Sequence, residues 1–290
     1  MIPTRTDVRG RLGDPDLPDR LRALGFRPDD TADATAAAAT VLDRPDHLEL
    51  VATCADRLAT HLGEFTAVGH PDVWSGVPVD PGGVLPMLTL VATAPDVAAW
   101  HARRGIPADI STASLSDLGQ QVWVHRLTDG AFGLHTHGWL TIAWSGALYW
   151  LGRLQFNLQP GDDGWVLSTH IPRTGPLTPE AVDESFAAAT RFFATYFPEY
   201  PTRDFVCSSW LLDPALAAAL PHSNLAAFQR RWQLTDERHP GEADVLFFVF
   251  GRRGRTELDT LPRDTALRRA ILDQLTAGKG WWSVTGRIPQ

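Results

Sequence analysis

"WVLSTHIPRTGPLTPEAVDESFAAATRFFATYFPEYPTRDFVCSSWLL", residues 165–212, decides the fold. Its first piece, "WVLSTHI" (165–171), reads as a strand, and so does its last, "DFVCSSWLL" (204–212). Between them "TPEAVDESFAAATRFFATYF" (178–197) is a well-signed helix. Thr178 stands at the N-cap, Pro179 at the first helical position, and acids fill the first turn. Strand, helix and strand in that order make a βαβ unit with parallel strands.

Upstream, "GDDG" (161–164) is a tight turn, so the strand before it forms a hairpin with 165–171. That preceding strand holds "GRLQFNL" (152–158), in which Arg153, Gln155 and Asn157 alternate with Leu154, Phe156 and Leu158. Successive strand side chains point to opposite faces, so one face is apolar and the other carries large hydrogen-bonding groups. "GWLTIAWSGALYWLGRLQFNL" (138–158), rich in aromatic and β-branched residues, reads as two or three strands. Downstream, 213–234 suggests short helices, "ADVLFFVFG" (243–251) a buried strand and 262–278 a final helix.

The first half is helical in pattern. Segments 16–26, 44–63, 84–105 and 111–127 carry apolar residues at helical spacing, the third expected to break before Pro95. The fold class is therefore α/β (α+β). A helical domain over 1–130 precedes a mixed sheet flanked by helices over 131–290.

The chain has 290 residues, 44% of them apolar, ample for real cores. A net charge of −8 argues against nucleic-acid and anionic-membrane partners. No apolar run is long enough to span a bilayer, and the N-terminus lacks a signal peptide's apolar centre. A cytoplasmic location is expected, and nothing fixes an oligomeric state. Two distant cysteines, Cys54 and Cys207, form no disulfide framework and no zinc motif.

Residues from about 138 onward resemble the GNAT-like C-terminal domain of a bacterial group of N-acyltransferases. The resemblance rests on "LGRLQF", "HIP", "GPLTPEAVDES", "FFATYFPE", "CSSWLLDP", "LPHSNLAAFQRR", "FVFGR" and "LPRDTALRRAILDQL", in that order. Residues 1 to about 130 are similar to the helical partner domain, without a sharp motif. The resemblance implies an acyl-CoA-dependent N-acyltransferase acting on a small amine-bearing substrate, with acyl-CoA (acetyl-CoA) as co-substrate. It implies that Arg173, Thr174, Gly175, Leu177 and Thr178 meet the pyrophosphate, and that pantetheine runs between strands 166–171 and 205–211. A helix N-terminus with free backbone N–H groups suits an anion. The sequence departs from the pattern in two ways. "RTGPLTPE" holds one Gly, two prolines without N–H, and Glu180, Asp183 and Glu184 follow. None of the three tyrosines lies in 213–231, where GNAT enzymes often place the general acid. The alternative is a non-catalytic GNAT-like protein that binds a small ligand.

The polar residues have two readings each. His170 is the general-base candidate, or it fixes the Ile171–Pro172 turn. It is expected beside Gln155 or Arg153 across the hairpin. Arg153, Gln155, Asn157, Ser168, Cys207 and Ser209 form a strip that either binds substrate or hydrogen-bonds internally. Arg153's planar fork suits a carboxylate or phosphate, or a pair with Asp162. Cys207 is a nucleophile only if its thiol is activated. Ser223 and Asn224 are candidates for the acid step, and equally an N-cap. "HTHG" (135–138) places His135 and His137 on one strand face as a half metal site without an evident third ligand; no metal is expected.

Overall fold

The computed structural model describes residues 5–78, 80, 82–253 and 257–290. They divide into two compact units: Met1–Trp150 with Asn157–Pro160, and Leu151–Phe156 with Gly161–Gln290. Among the described residues no helix is long and apolar enough to cross a membrane.

The described residues of the first unit form the α-helices α1 (Arg5–Leu12), α2 (Leu17–Ala23), α3 (Pro28–Leu42), α4 (Pro45–Thr60), α5 (Val84–Arg103), α6 (Ala108–Leu115), α7 (Asp117–Asp129) and α8 (His137–Trp144), with a 3-10 turn at Pro71–Trp74. α5 is the hub. Leu85 to Ala94 are all buried, so the first half of the helix is enclosed around its whole circumference. It runs on through Pro95 instead of breaking there. Pro95, itself exposed, removes one helical hydrogen bond, and the burial of the ten residues before it outweighs that loss. The stretch read as strands near 138–145 is α8, because Leu140 to Trp144 are all buried and leave no period to read. Trp144 Nε1 donates to the Leu90 carbonyl of α5 (3.0 Å).

The C-terminal region carries a six-stranded mixed sheet in the order β1-β2-β3-β4-β6-β5. The strands are β1 (Leu148–Leu151), β2 (Leu154–Gly161), β3 (Gly164–His170), β4 (Thr202–Ser209), β5 (Gln233–Pro240) and β6 (Trp282–Pro289). α9 (Pro179–Tyr196) joins β3 to β4, which pair in parallel; β4 with β6 and β6 with β5 pair antiparallel. α9 docks through Phe186, whose ring lies 4.7 Å from Phe205, 5.6 Å from Phe156 and 5.9 Å from Trp232.

Short helices α10 (Pro214–Ala219) and α11 (Asn224–Gln229) precede β5. The segment expected as a buried strand near 243–251 is α12 (Glu242–Phe250). Acids in its first turn and Gly251 at φ 64° beyond its last turn are helix signals that outweigh the apolar run. α13 (Ala266–Thr276) is the final helix.

Candidate functional site

Arg153 is not on the strand. Gly152 and Arg153 form the turn between β1 and β2. Gly152 needs its φ of 73°, and a Cβ there would come within 2.8 Å of Ser185 Oγ. The same hydroxyl accepts the Arg153 N–H (2.7 Å) and donates to the Ala181 carbonyl (2.8 Å), which locks the turn against α9. The guanidinium then reaches along the connection between β3 and α9. Nη1 donates to the Pro172 carbonyl (3.1 Å), Nη2 to Gly175 (3.1 Å) and Nε to Pro176 (3.2 Å). Asp162, the acid expected beside it, pairs instead with Arg287 (3.1 Å). Burial lowers the Arg153 pKa, but a guanidinium stays charged. Arg153 therefore shapes the loop by gathering three carbonyls to one side.

That loop is short and outward-facing. Arg173 and Gly175 are exposed, Thr174 and Thr178 are half-buried, and Leu177 is buried as its anchor. Gly175 has φ 36° and open space where a Cβ would be. Thr174 N–H is used by the Pro172 carbonyl (2.8 Å). Thr178 Oγ1 caps α9 by accepting the Ala181 N–H (3.4 Å). Of the acids near the start of α9, Asp183, in the second turn, is held by an ion pair with Arg231, whose Nη2 also donates to the Pro179 carbonyl (3.2 Å). A cation beside the first turn offsets the acidic composition noted in the sequence. Arg231 and Ser185 escaped the sequence reading, because nothing local marks a residue that acts on a helix start 48 residues upstream or on a turn 32 residues away.

Next to the loop, β3 and β4 part. Their parallel register starts at Trp165 opposite Thr202, shifts, and ends at Ser168 opposite Val206. Beyond that point Cys207, Ser208 and Ser209 pair only toward β6, with Gly286, Thr285 and Val284. Thr169 and His170 close the other arm. Thr169 Oγ1 is buried without a hydrogen-bond partner. His170 is half-buried, and the protein packed around it lowers its pKa to about 4. It is a neutral imidazole throughout the neutral range. Cys207 is buried, and burial pushes its thiol up to about 12. It stays protonated, which removes the chemistry of a nucleophile.

The polar face of β2 does not meet water. Gln155 and Asn157 are 3% and 0% exposed, and Leu154, Phe156 and Leu158 are buried as well. Asn157 belongs to the first unit and donates to Gln159 Oε1 (3.0 Å). Gln155 lies in the second unit with its Nε2 buried and unpartnered, an open donor in this region. Ser209 Oγ accepts the Leu211 N–H (3.2 Å). Ser223 Oγ accepts the Ala226 N–H (3.1 Å) and donates to Leu220 (2.8 Å), an N-cap with its hydroxyl fully engaged; Asn224 is exposed beside it. The "HTHG" pair is not on a strand. His137 opens α8 and turns toward the Leu134 carbonyl (3.5 Å) and the Trp74 ring, while His135 faces His125.

Comparisons with known proteins assign a family to this βαβ unit and to the helices that precede it. Residues 148–288 match the GNAT-like C-terminal domain, and residues 15–146 match the N-acyltransferase N-terminal domain. A solved acyltransferase in complex with decanoyl-CoA and teicoplanin is 36% identical, with a TM-score of 0.86 over 94% of this chain and 87% of that one. The chain belongs to the N-acyltransferase family with a GNAT-like C-terminal domain. Within this family, an acyltransferase in complex with decanoyl-CoA is 32% identical, with a TM-score of 0.84 over 99% of this chain and 89% of that one. An acyltransferase mutant in complex with octanoyl-CoA is 36% identical, with a TM-score of 0.85 over 94% and 87%. The search of curated proteins found no match.

Proposed function

We propose that the protein is an acyl-CoA-dependent N-acyltransferase whose donor site is the loop 172–178 and the opening between β3 and β4. The observation that carries this is the end of the β3–β4 register at Ser168/Val206, next to a loop whose carbonyls are gathered by Arg153. Two strand edges that part from one another match the amide groups of pantetheine, which bind as a short strand would. Loop amides at Gly175, Leu177 and Thr178, with the positive end of α9 and Arg173 nearby, suit the pyrophosphate. The thioester then lies toward Thr169, His170 and Cys207.

The chemistry is one substitution at the thioester carbonyl. The amine nitrogen forms a bond to carbon, the carbon–sulfur bond breaks, the CoA thiolate takes up a proton, and the attacking nitrogen loses one. His170 is neutral and able to accept that proton, though a pKa of about 4 makes it a weak base that passes the proton on readily. Relatives solved with decanoyl-CoA, octanoyl-CoA and teicoplanin direct the choice of probes toward medium acyl chains and a teicoplanin-like amine acceptor.

Thermal shift with CoA, acetyl-CoA, octanoyl-CoA and decanoyl-CoA tests the donor site, since a ligand of the native state raises the midpoint by mass action. Mass spectrometry of an amine panel that includes teicoplanin then tests transfer. A midpoint rise together with an N-acylated product is expected. No rise at millimolar acyl-CoA would refute the donor site. A rise with no product from any amine would make the protein a ligand-binding relative.

A further inference from the structure

A histidine–aspartate cluster stands in the first unit, apart from the donor site. His125 and Asp129 occupy successive turns of α7, four residues apart, so both face one side of its last turn. The connection after α7 returns over that turn. Gly133 makes the return possible, because a Cβ there would meet the Gly82 carbonyl oxygen at 2.5 Å and His125 Nε2 at 2.6 Å. Leu134 N–H is fastened to the same carbonyl (2.7 Å). His135 is thereby set over His125, with the two Nδ1 atoms 3.1 Å apart. Asp129 Oδ2 lies 3.4 Å from His125 Nδ1, and Thr128 Oγ1 lies 2.8 Å from that carboxylate oxygen.

We infer that His125, Asp129 and His135 form a binding site for a zinc-like divalent cation. Two ligand atoms at ~2.0–2.1 Å from a tetrahedral zinc are about 3.3–3.4 Å apart. The two distances from His125 Nδ1, 3.1 and 3.4 Å, straddle that edge length, and all three ligand atoms lie within 4.8 Å of one another. His135 Nδ1 and Asp129 Oδ2 thus both approach one atom, His125 Nδ1, at the spacing of neighbouring ligands. A cation between the three atoms explains both contacts. Two imidazoles and a carboxylate are the ligand types of zinc, and they leave a fourth position for water. The Thr128 hydroxyl, which also reaches the Val124 and His125 carbonyls (3.0 and 3.1 Å), comes closest to the Asp129 carboxylate and so is placed as an outer partner of that ligand. The site closes a helix C-terminus, where the dipole favours positive charge. His125 is buried, whereas Asp129 is exposed and His135 half-buried, so an ion has a way in.

The other cluster of this kind, His61, Glu64 and His70, differs. His61 already has Glu64 Oε2 at 2.7 Å on one nitrogen and Asp72 Oδ2 at 2.8 Å on the other. His70 Nε2 has the Glu64 carbonyl at 3.0 Å, and the two rings stack at 4.0 Å. Ordinary hydrogen bonds account for that group.

The test uses full-length protein freed of metal by a chelator. Zinc chloride is titrated by calorimetry at pH 7.5, and cobalt chloride is added as a visible probe of four-coordinate geometry. Wild type is expected to bind one zinc and to show a tetrahedral cobalt band. His135→Gln and Asp129→Asn, both at accessible positions and verified as folded by circular dichroism, are each expected to weaken zinc by more than ~10-fold. His61→Gln is expected to leave the titration unchanged. Wild type that takes up no zinc at ~100 µM, or that binds it equally well in both cluster variants, would overturn the site. Loss of binding in His61→Gln alone would move the metal to the other cluster and overturn it too.

Discussion

Arg153 shows how the role of one residue follows from its neighbours more than from its type. Parity places it on a strand face with Gln155 and Asn157. The Gly152–Arg153 turn takes it off that face, and Ser185 aims its backbone so that the side chain runs to Pro172, Gly175 and Pro176. Each charged hydrogen bond contributes ~1.5–3 kcal/mol when buried, and solvent reduces that here, so an effect near ~1.4 kcal/mol on donor binding is the working scale. Arg153→Ala is expected to raise KM for acyl-CoA ~10-fold while kcat changes less. Arg153→Lys reaches fewer carbonyls and should fall between the two. Steady-state kinetics with acyl-CoA varied decides this, and an unchanged KM in Arg153→Ala would show that the loop keeps its shape alone. His170 is a separate case. His170→Asn should lower turnover ~10²–10⁴-fold with little change in acyl-CoA binding if the imidazole accepts the proton. Because its pKa is about 4, wild-type kcat should show no His170 ionisation between about pH 5 and 8. An enzyme-borne acid limb near pH ~6.5 would contradict the neutral imidazole.

Elements with local signals were legible, and elements defined by burial alone were not. Thr178, Pro179 and the acids after them mark the start of α9 wherever the rest of the chain goes, and β3 and α9 fall where the sequence places them, whereas β4 ends at Ser209, which caps a 3-10 turn over Trp210–Leu212 where the strand was expected to continue. In α8 and α12 an apolar run hides the period that distinguishes helix from strand. β6 alternates Trp282, Val284 and Ile288 with Ser283, Thr285 and Arg287, a short period-2 signal, whereas β5 carries no strand signal of its own. "QLTDERHP" is polar and mostly exposed, so it shows no core pattern, although β6 sits inside the sheet between β4 and β5. The β3–β4 opening was implied only through the family resemblance, since a register's end is a property of two distant segments. The loop before α9 gives the sharpest test at this scale. Gly175 is exposed, at φ 36°, with nothing within 4 Å of the place a Cβ would take. Gly175→Asp adds a negative charge to the outward face of the loop and a strained backbone. It should abolish the acyl-CoA thermal shift while leaving the unliganded midpoint within a few degrees. Thr178→Ala, which removes the cap, should instead lower stability by ~0.5–1 kcal/mol. If Gly175→Asp retains the full shift, the pyrophosphate does not sit on this loop.

At the scale of the whole chain, neutral imidazoles in both units link stability to pH. His101 is fully buried between α5 and α6, with Nδ1 2.8 Å from Ser111 Oγ, and burial lowers its pKa to about 4. His170 lies at about 4 for the same reason, and burial also lowers His70 and His137. In the unfolded chain these groups protonate near ~6.5. Below that pH the unfolded state binds protons that the folded state refuses, so stability falls as pH drops from about 6.5 toward 4 and levels off below. A fall from 6.5 to about 4 corresponds to roughly 3 kcal/mol per histidine as an upper figure. His61 works in the opposite sense. Glu64 and Asp72 raise its pKa, so its contribution is present below 6.5 and is lost as pH rises through the raised value. Its partners are exposed, which keeps that contribution small. The depressed carboxyls Asp46, Asp72 and Asp264 start from 3.8 and lose their contribution only below that. The net expectation is a protein that loses several kcal/mol between about pH 6.5 and 4.5, before its carboxylates titrate. Urea unfolding at roughly pH 7.5, 6.5, 5.5 and 4.5 measures it. His101→Gln should flatten the dependence by about one proton in the transition of the first unit, at some loss of stability at pH ~7.5. A wild-type stability that is level across that acidic range would mean that the buried histidines carry their charge in the folded state.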